Sequence, residues 1–596
     1  MARLAVLDKK SCRPKDCGHE CRKYCPMVRS KLDAVTFDDY ENAPKIHEAI
    51  CSGCGICVRK CPFKAISVVN IAEELQSEAF HRYGANGFKL FRFLSPQQGA
   101  VTGLLGMNGI GKTTVMRILA GEFLPNLGDY EKPPSRDDVL RFLRGSVSQS
   151  LLERVWSGKS KVVLKPQYVD RIPKAVKGTV GDLVERNDES GTGRAIASSL
   201  GLLEIWDRSI DVLSGGELQR LAIAVACSKQ ADFFLFDEPS SFLDVEQRLV
   251  VCKTIRNLCN DGRTIVIVEH DLAMLDYVSD YVSIIYGQPG TYGIVSETMS
   301  SRTGINAYLN GYIRSENVLF REEPIVFHEH PPPTSRGGQP LFSWEPGKIV
   351  LGDFTLTYSG GEASEGEVIG IIGPNGIGKT TFIKVLVEKL APSFFNSKKS
   401  RNLTISYKPQ YVSELFTGRV GSLFSEKAES EIGTILSRLI HNLKLDKLQD
   451  RDCESLSGGE LQAVAIAHAL SREADIYFLD EPCAYLDVEQ RMAVVRATRQ
   501  LTEARSVSTF IVEHDILAID FAADRLIVFE GEPGKHGSAT SQLDMRSGMN
   551  AFLSGRDVTF RRDAETRRPR INKPGSKADK AQKLIGEYYY SVESES

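Results

Sequence analysis

Eight of the thirteen cysteines lie within the first 61 residues of this 596-residue chain, at spacings typical of cluster-binding loops. The two runs are Cys12-x4-Cys17-x3-Cys21-x3-Cys25-Pro26 and Cys51-x2-Cys54-x2-Cys57-x3-Cys61-Pro62. Short spacers let three thiolates of one loop bind three irons of a 4Fe–4S cube, and the fourth cysteine then reaches across to the other cube. The spacing predicts two clusters, with the ligand sets Cys12, Cys17, Cys21 and Cys61, and Cys51, Cys54, Cys57 and Cys25.

A pair of zinc sites is the alternative for this segment, because CxxC pairs also bind zinc. The two Cys-Pro endings and the lack of a histidine at ligand spacing favour iron–sulfur clusters. An odd total of cysteines argues against a disulfide framework. The five cysteines beyond residue 61 are interpreted as small buried apolar residues.

Two phosphate-binding loops follow, GMNGIGKTT from Gly106 and GPNGIGKTT from Gly373. Glycines let backbone N–H groups surround phosphates at a helix N-terminus. The lysines are expected to reach the β- and γ-phosphates, and the threonines that follow them to bind Mg²⁺. The predicted nucleotide-binding residues are Gly106, Asn108, Gly109, Gly111, Lys112, Thr113 and Thr114, and Gly373, Asn375, Gly376, Gly378, Lys379, Thr380 and Thr381.

A pair of carboxylates ends an apolar run in each copy, Asp237-Glu238 after FFLF and Asp480-Glu481 after IYFL. The aspartates are predicted to hold Mg²⁺, directly or through water. The glutamates are placed to polarise the attacking water as general bases. Four further polar residues are assigned to this edge: the amides of Gln167 and Gln410, for metal and water, and His270 and His514, for the γ-phosphate.

Each loop lies between a short apolar run and a helical pattern, which is the strand–loop–helix context that a P-loop requires. The repeated order predicts an α/β fold, with two P-loop nucleotide-binding domains in tandem behind an N-terminal α+β ferredoxin-like iron–sulfur domain. The predicted divisions are 1–75 for the cluster domain, 76–293 and 341–540 for the P-loop domains, 294–340 for a hinge and linker, and 541–596 for a second hinge and basic tail.

The composition is that of a globular protein, with 42% apolar and 25% charged residues and a net charge of −3. No run of 18 apolar residues suggests a membrane span, and the start has too short an apolar run for a signal peptide, so we expect an intracellular protein. Any nucleic-acid binding must be local. Three basic segments could supply it: 1–30 and 556–580, each with a net charge of +5, and 131–161, with +3.

The first copy carries 24 more residues than the second between its P-loop and Gln167. Within them, the helical periodicity of Asp137–Arg154 breaks at Arg144-Gly145-Ser146 and predicts a helix–loop–helix. Glycine–proline segments at 286–293 and 530–537 occupy equivalent positions and suggest paired pivots, and 328–340 is interpreted as a linker.

The LSGGE sequences at 213–217 and 456–460, placed between P-loop and acidic strand, resemble the signature of the ATP-binding-cassette family. The resemblance implies that two cassettes close head to tail, so that Lys112 faces Ser457 and Lys379 faces Ser214. Gly216 and Gly459 belong to the same signatures. The resemblance also implies an aromatic residue stacked on adenine. The candidates are Tyr83 or Phe88 in the first copy and Phe354 or Tyr358 in the second, and packing in the core would explain each of them equally well.

The cluster module, the fused cassettes, the insertion and the ending TFRRD…RPRINK together resemble the ribosome-recycling ATPases of ABC subfamily E, the RNase L inhibitor family. The resemblance implies two 4Fe–4S clusters, ATP and Mg²⁺, and a clamp that splits ribosomes after termination or rescue. Implied partners are small-subunit rRNA and proteins, a release factor or Pelota-type rescue factor, and initiation factors. It also implies a cytoplasmic monomer with nuclear passage and no membrane partner.

Two departures and three rival functions stand beside this interpretation. Ala463 replaces the signature arginine present as Arg220 in the first copy, and Met107 stands where the second P-loop has Pro374. The copies are therefore expected to form unequal sites. The main alternative is an ATP-coupled iron–sulfur electron-transfer protein. A transporter ATPase and a DNA-repair cassette protein are the others, although only about 100 residues separate Lys112 from the first signature.

Overall fold

The structure is a computed structural model that describes residues 2–9, 11–48, 50–71, 79–259, 262–327, 340–390, 403–412, 416–424 and 431–589. No helix within these ranges combines the length and apolarity that a bilayer crossing requires. Apart from Pro340, the predicted linker 328–340 lies outside the described residues.

The N-terminal domain is a small α+β unit around the cysteines. Its core includes Ala5, Leu7, Val35 and Ile46, and six of the cysteines belong to it or pack against it. A core this small supplies little stability, so bound clusters are expected to contribute. Two antiparallel pairs, β1 (Ala2–Leu7) with β4 (Ile66–Ile71) and β2 (Val35–Thr36) with β3 (Lys45–Ile46), are joined by α1 (Glu20–Lys23), α2 (Pro26–Arg29) and α3 (Ile56–Lys60).

The first cassette is built on a nine-stranded sheet whose central strands are parallel and buried. Apolar runs such as FFLF suit this position because parallel strands are covered by helices on both faces. The sheet order is β5 (Ala79–Arg82), β6 (Lys89–Phe91), β12 (Tyr292–Val295), β11 (Tyr281–Gln288), β7 (Val101–Leu105), β10 (Thr264–Val268), β9 (Phe233–Asp237) and β8 (Val162–Lys165), with β13 (Met299–Ser300) paired to β11.

The second cassette repeats this sheet strand for strand. The repeat confirms the predicted α/β class with two tandem P-loop domains. Its order is β17 (Gly347–Leu351), β18 (Phe354–Tyr358), β25 (His536–Ala539), β24 (Arg525–Glu532), β20 (Glu367–Ile372), β23 (Ser508–Val512), β22 (Ile476–Asp480) and β21 (Ile405–Lys408), with β26 (Leu543–Asp544) paired to β24. Short pairs outside both sheets are β14 (Tyr312–Ile313) with β15 (Val318–Leu319), β16 (Pro340–Trp344) with β19 (Gly361–Ser364), and β27 (Phe560–Arg562) with β28 (Pro569–Ile571).

Helices cover the sheets and form the lobes that carry the signatures. In the first half they are α4 (Lys112–Leu119), α5 (Arg136–Phe142), α6 (Val147–Trp156), α7 (Ile172–Ala175), α8 (Val180–Asn187), α9 (Gly193–Ser199), α10 (Gly215–Cys227), α11 (Val245–Cys259), α12 (Leu272–Val278) and α13 (Ser301–Asn310). In the second half they are α14 (Lys379–Leu390), α15 (Glu431–Asn442), α16 (Gly458–Ser471), α17 (Val488–Arg505), α18 (Ile516–Ala522), α19 (Met545–Ser554) and α20 (Lys577–Ile585).

The insertion of the first cassette is a helix–loop–helix, as predicted. α5 begins after a capping box in which Ser135 and Asp138 satisfy each other's backbone N–H groups. α6 begins after Ser146, and Gly145 takes a φ of 85° in the turn between the helices. The break in periodicity therefore marked the turn correctly.

The two glycine–proline segments interpreted as pivots are turns of β-hairpins within the sheets, so that prediction is wrong in its placement. The first joins β11 to β12, and the second joins β24 to β25. Each turn contacts the P-loop of its own cassette: the N–H of Gly290 donates to the Gly109 carbonyl at 2.9 Å, and that of Gly534 donates to the Gly376 carbonyl at 3.1 Å. The glycines serve a tight turn at this contact and link no domains.

The C-terminal segment packs between the two cassettes instead of offering its arginines to phosphate. Arg570 forms a bidentate ion pair with Asp276 of α12 at 2.6 and 3.0 Å. Arg562 forms one with Asp520 of α18, the repeat counterpart of Asp276, at 2.6 and 2.7 Å. Arg568 is fully buried and also binds Asp276, at 3.0 Å. For these three arginines the expected phosphate contact is wrong, because their charges are used inside the protein.

Candidate functional site

Each P-loop encloses its own lysine. The Lys112 ammonium donates to the carbonyls of Gly106 and Met107 at 2.8 and 3.0 Å. Lys379 makes the same bonds to Gly373 and Pro374 at 2.9 and 2.6 Å. Burial lowers the pKa of both lysines, that of Lys379 to about 8. Met107 takes part through its backbone, so it can replace proline without loss of this contact.

The two aspartates predicted to hold Mg²⁺ lie at the buried ends of β9 and β22. Burial and the neighbouring glutamate raise the pKa of Asp237 to about 6. The Thr380 hydroxyl donates to Asp480 Oδ2 at 2.7 Å, which joins the two predicted Mg²⁺ ligands of the second copy. Asp480 Oδ1 is buried without a hydrogen-bond partner in the described structure. A buried, unpartnered carboxylate oxygen beside a threonine hydroxyl suits a hard cation such as Mg²⁺.

The predicted general base of the first copy lies among the residues assigned to its edge. Gln167 Nε2 donates to Glu238 Oε1 at 2.7 Å, and His270 Nε2 lies 3.4 Å from the same oxygen. Burial opposes the charge of Glu238, but the nearby His270, Lys112 and Arg491 together outweigh it and lower its pKa to about 2. The backbone of Glu238 has a φ of 46°, a left-handed conformation that non-glycine residues rarely adopt.

The second copy reproduces this geometry. Gln410 Nε2 donates to Glu481 Oε1 at 2.8 Å, and His514 Nε2 lies 3.3 Å from it. Glu481 has a φ of 47°. Burial opposes its charge, but His514, Lys379 and the hydrogen bond from Gln410 together lower its pKa to about 2. An ionised carboxylate at this edge is able to accept a proton from water.

The signature serines begin helices and face solvent. Ser214 and Ser457 cap α10 and α16 through capping boxes with Glu217 and Glu460. Both serines are exposed. The departure at Ala463 is visible in the packing: Arg220 donates to the carbonyl of Leu200 at 2.8 Å, whereas Ala463 is a buried apolar residue.

The cassettes meet through the aspartates that follow each acidic strand. Asp487 Oδ2 accepts from the backbone N–H of Asn108 in the opposite P-loop at 3.0 Å. Asp244 accepts in the same way from Asn375 at 2.9 Å. Within the described ranges no hydrogen bond joins a signature serine to the opposite P-loop, so the pairings Lys112–Ser457 and Lys379–Ser214 stay predictions.

The aromatic candidates for adenine differ in position. A Cβ on Gly111 would lie 2.6 Å from the ring of Phe88, and one on Gly378 would lie 3.0 Å from the ring of Phe354. Both phenylalanines therefore pack beside the start of a P-loop helix. Tyr83 is exposed, and its hydroxyl lies 3.3 Å from that of Thr114. Tyr358 is buried in the core of the second cassette, which removes it from the candidates.

Thiols of each predicted ligand set lie near one another, and the ligand assignments stay predictions. One cavity is lined by the whole first set, Cys12, Cys17, Cys21 and Cys61. Burial and the neighbouring thiols of this set raise the pKa of Cys12 to about 11. Burial likewise raises the pKa of Cys57 to about 11, and its interacting thiols are Cys51, Cys54 and Cys25, the rest of the second set. Four thiols around one cavity fit a 4Fe–4S cluster.

The cluster domain contacts both cassettes. The amide of Asn86 in the first cassette exchanges two hydrogen bonds with the backbone of Ile46, at 2.7 and 2.9 Å. Glu48 pairs with Arg82 at 2.8 Å nearby. Arg13 reaches the helical lobe of the second cassette and donates to the Asp450 carbonyl at 3.0 Å. The domain is thus held firmly on one cassette and lightly on the other.

Comparison with known proteins agrees with this architecture. Residues 94–241 and 359–484 match the family described as ABC transporter, residues 44–67 match a 4Fe-4S binding domain, and residues 2–31 match a possible Fer4-like domain in RNase L inhibitor. The chain is 49% identical to an uncharacterised ABC transporter ATP-binding protein of Methanocaldococcus jannaschii, over 99% of this chain and 97% of that one. It is 41% identical to translation initiation factor RLI1 of Saccharomyces cerevisiae, over 99% and 98%.

The chain belongs to the RNase L inhibitor family of ABC subfamily E. Its fold matches archaeal ABCE1 in a model of ribosome-bound archaeal Pelota and ABCE1, with a TM-score of 0.90 and 48% identity over 99% of both chains. It also matches a complex of archaeal ribosomal stalk protein aP1 with the recycling factor aABCE1, with a TM-score of 0.82 and 47% identity over 87% of this chain and 100% of that one.

Membership in the RNase L inhibitor family makes the chain an ATPase whose cofactors are 4Fe–4S clusters and Mg²⁺, as expected from the motifs. We call the sheet edge that carries Glu238 and Glu481, with the glutamines and histidines assigned to them, the catalytic edge. Sequence reasoning missed two pairs of residues that donate to the backbone carbonyls of these glutamates, Lys165 with Lys408 and Gln219 with Gln462. Their repetition within KPQ and LSGGELQ was the signal for them.

Proposed function

We propose that this protein is an ATP-driven ribosome-recycling factor that splits ribosomes into subunits after termination or rescue. The observation that carries the proposal is the double contact of Asp244 and Asp487 with the opposite P-loops, beneath a cluster domain that contacts both cassettes. Nucleotide bound at these P-loops would change how the halves meet and would move that domain. The relatives named with Pelota and with a ribosomal stalk protein support the ribosome as the target.

Each residue of the catalytic edge has a proposed role in hydrolysis. Glu238 and Glu481 accept a proton from the water that attacks the γ-phosphorus, and the bond to the ADP oxygen breaks. Lys112 and Lys379 bind the β- and γ-phosphates in place of their own loop carbonyls. The remaining proposed roles concern the metal ion, the attacking water, the γ-phosphate and adenine. Mg²⁺ is assigned to Thr113, Thr380, Asp237 and Asp480, and metal together with water to Gln167 and Gln410. The γ-phosphate is assigned to His270 and His514, and adenine to Phe88 or Tyr83 in the first copy and Phe354 in the second.

Bound Mg²⁺ supplies charge neutralisation at the phosphates. Closure would bring Ser457 toward the nucleotide on Lys112, and Ser214 toward that on Lys379. The N–H groups that open α10 and α16 then face the γ-phosphates. ATP binding would favour the closed form, and hydrolysis would release it.

The partners proposed for this cycle are a release factor or a Pelota-type rescue factor, small-subunit rRNA and proteins, and initiation factors after splitting. The helix–loop–helix at 131–161 is the proposed subunit contact, since its net charge is +3 and Arg136, Arg141 and Arg144 are exposed on it. The proposed location is the cytoplasm, with nuclear passage, and the proposed state is a monomer whose own cassettes pair.

Sedimentation of purified ribosomes tests the proposal. The full chain with its clusters is mixed with ribosomes, a release or rescue factor, and ATP or a non-hydrolysable analogue. We expect separate subunits in the presence of factor and nucleotide, with the protein on the small subunit in the analogue sample. Omission of the factor or the nucleotide is the control. Intact ribosomes in the complete mixture would refute the proposal, and cluster reduction that depends on ATP would favour the electron-transfer alternative.

A further inference from the structure

Each copy buries a lysine two residues before the glutamine of its catalytic edge. Lys165 and Lys408 end β8 and β21, and each is only 1% exposed. The Lys165 ammonium donates to the backbone carbonyls of Asp237 and Glu238 at 2.9 and 3.4 Å. Lys408 donates to the corresponding carbonyls of Asp480 and Glu481 at 2.7 and 3.0 Å. The hydrolytic roles proposed above make no use of these lysines.

A second buried donor reaches the same glutamate carbonyl from the signature helix. Gln219 Nε2 in α10 donates to the Glu238 carbonyl at 2.7 Å, and Gln462 Nε2 in α16 donates to that of Glu481 at 2.8 Å. Each carbonyl therefore receives one donor from a strand end and one from the helix that begins at the signature serine. The arrangement is the same in both cassettes.

Two unfavourable features coincide at this point of the chain. A left-handed backbone at Glu238 or Glu481 is unfavourable for a non-glycine residue and persists only where its surroundings hold it. A buried ammonium also costs free energy unless it is hydrogen-bonded. The lysine–carbonyl bonds satisfy the ammonium and hold the strained residue at once. Strain retained in both repeats at the catalytic edge indicates a role beyond packing.

The same strand end also binds the glutamate side chain. Gln167 follows Lys165 by two residues and bonds to Glu238 Oε1, so β8 fixes the backbone and the carboxylate together. Gln219 lies five residues after Ser214, so α10 connects the signature serine to the donor that binds the Glu238 carbonyl. A shift of this helix would therefore change the position of the Glu238 backbone, and with it the orientation of the carboxylate.

We propose that Lys165 and Lys408 are positioning residues that hold the two general-base glutamates in their left-handed conformation. With Gln219 and Gln462, they couple the orientation of each glutamate to the signature helix of its own cassette. This inference rests on the proposed function, in which Glu238 and Glu481 act as the bases.

Steady-state ATP hydrolysis by the full chain with its clusters tests the inference. Lys165→Met and Lys408→Met keep the side-chain length but remove the donor. We expect the kcat of the affected site to fall about 10-fold or more, with KM for ATP within twofold of the parent. Gln219→Met removes the other donor and is expected to lower kcat about threefold. Combined with Lys165→Met, it should lower kcat by less than the product of the single effects, because both donors act on one peptide.

The reference variants Glu238→Gln and Glu481→Gln separate the two proposals. If they retain the parent kcat, the proposed catalytic roles fail. If they lose activity while the lysine variants keep the parent kcat, or change only KM or thermal stability, the positioning role fails. Should Lys165→Met not fold, Gln219→Met decides, and an unchanged kcat in that variant overturns the inference.

Discussion

At the residue scale, the two catalytic edges are similar but not equal. Thr380 bonds to Asp480 in the second copy, whereas within the described residues Thr113 makes no such bond to Asp237. Arg220 bonds to the helical lobe of the first copy, and Ala463 cannot make that bond in the second. In the proposed closed form each nucleotide would face the signature of the opposite cassette, so we expect these differences to affect the two sites in different ways.

Glu238→Gln and Glu481→Gln are expected to change the ATPase rate by different factors. Each substitution removes a base whose contribution is typically about 10² to 10⁴ in rate. The residual rate then reports the other site, and we expect the two residual rates to differ at least threefold. Steady-state phosphate release measures this, with the double variant as the background. Equal residual rates would contradict the unequal sites.

The crossed ligand sets of the clusters are also tested residue by residue. Cys61→Ser should remove the cluster bound by the first cysteine run and leave about half of the iron. Cys12→Ser should have the same effect, and the double variant should lose no more iron, because both residues belong to one set. Cys61→Ser with Cys54→Ser should lose both clusters. Iron analysis with electron paramagnetic resonance checks this, and additive loss for Cys12 with Cys61 would refute the crossing.

At the element scale, the C-terminal segment joins two equivalent helices of the repeat. Asp276 and Asp520 occupy matching positions in α12 and α18, and each receives a bidentate arginine from the segment. Asp563 in the same segment accepts from Arg302 of α13 at 3.0 Å. A single short segment therefore contacts both cassettes.

Arg568→Met is expected to destabilise the protein by about 1–3 kcal/mol, since it removes one buried hydrogen bond from Asp276, which keeps its pair with Arg570. Arg568 is 0% exposed, so water cannot replace the lost bond. Denaturant unfolding measures the loss. Lys577→Met, in the exposed face of the same segment, is the matched control and is expected to stay within 0.5 kcal/mol. Equal stability of the two variants would show that the pair is dispensable.

The segment is also expected to weaken in acid. Burial opposes ionisation of Asp563, but the amides of Thr566 and Glu565 and the charges of Arg568 and Arg302 hold its pKa well below its usual range. A depressed pKa stabilises the fold above the unfolded value of about 3.9, and this stabilisation is lost as pH falls below it. Asp563→Asn should therefore show a flatter decline of unfolding free energy between about pH 5 and pH 2. Parallel declines in the two proteins would exclude this role.

At the scale of the whole molecule, the sequence predicted what local patterns determine. The strand–loop–helix of each P-loop and the turn at Gly145 follow from neighbouring residues, and both were predicted correctly. The pairing of Arg568 with Asp276 joins residues far apart in the chain, so the basic tail was misinterpreted as a phosphate-binding surface. The segments at 286–293 and 530–537 are rich in glycine and proline because they form tight hairpin turns. A hinge would have the same composition, so the sequence could not distinguish the two.

One carboxylate in each cassette contributes to the contact between the P-loop edges of the two halves and also caps its own helix. Asp487 Oδ1 accepts from the N–H of Gln490 and caps its own helix at 3.0 Å, while Oδ2 accepts from the opposite Asn108. Asp244 divides its oxygens in the same way between Gln247 and Asn375, both at 2.9 Å. Serine retains the helix cap but offers no second acceptor across the interface.

Asp244→Ser combined with Asp487→Ser is therefore expected to separate the cassettes while both helices remain capped. Fluorescence transfer between dyes on the two helical lobes should shift to longer distances without nucleotide, and kcat should fall about threefold to tenfold because closed sites form less often. Thermal unfolding should change by no more than a few degrees. Asp544→Ser alters the cap of α19 within the second cassette and is the control for helix stability. An unchanged distance distribution in the double variant would mean that other contacts hold the two halves together.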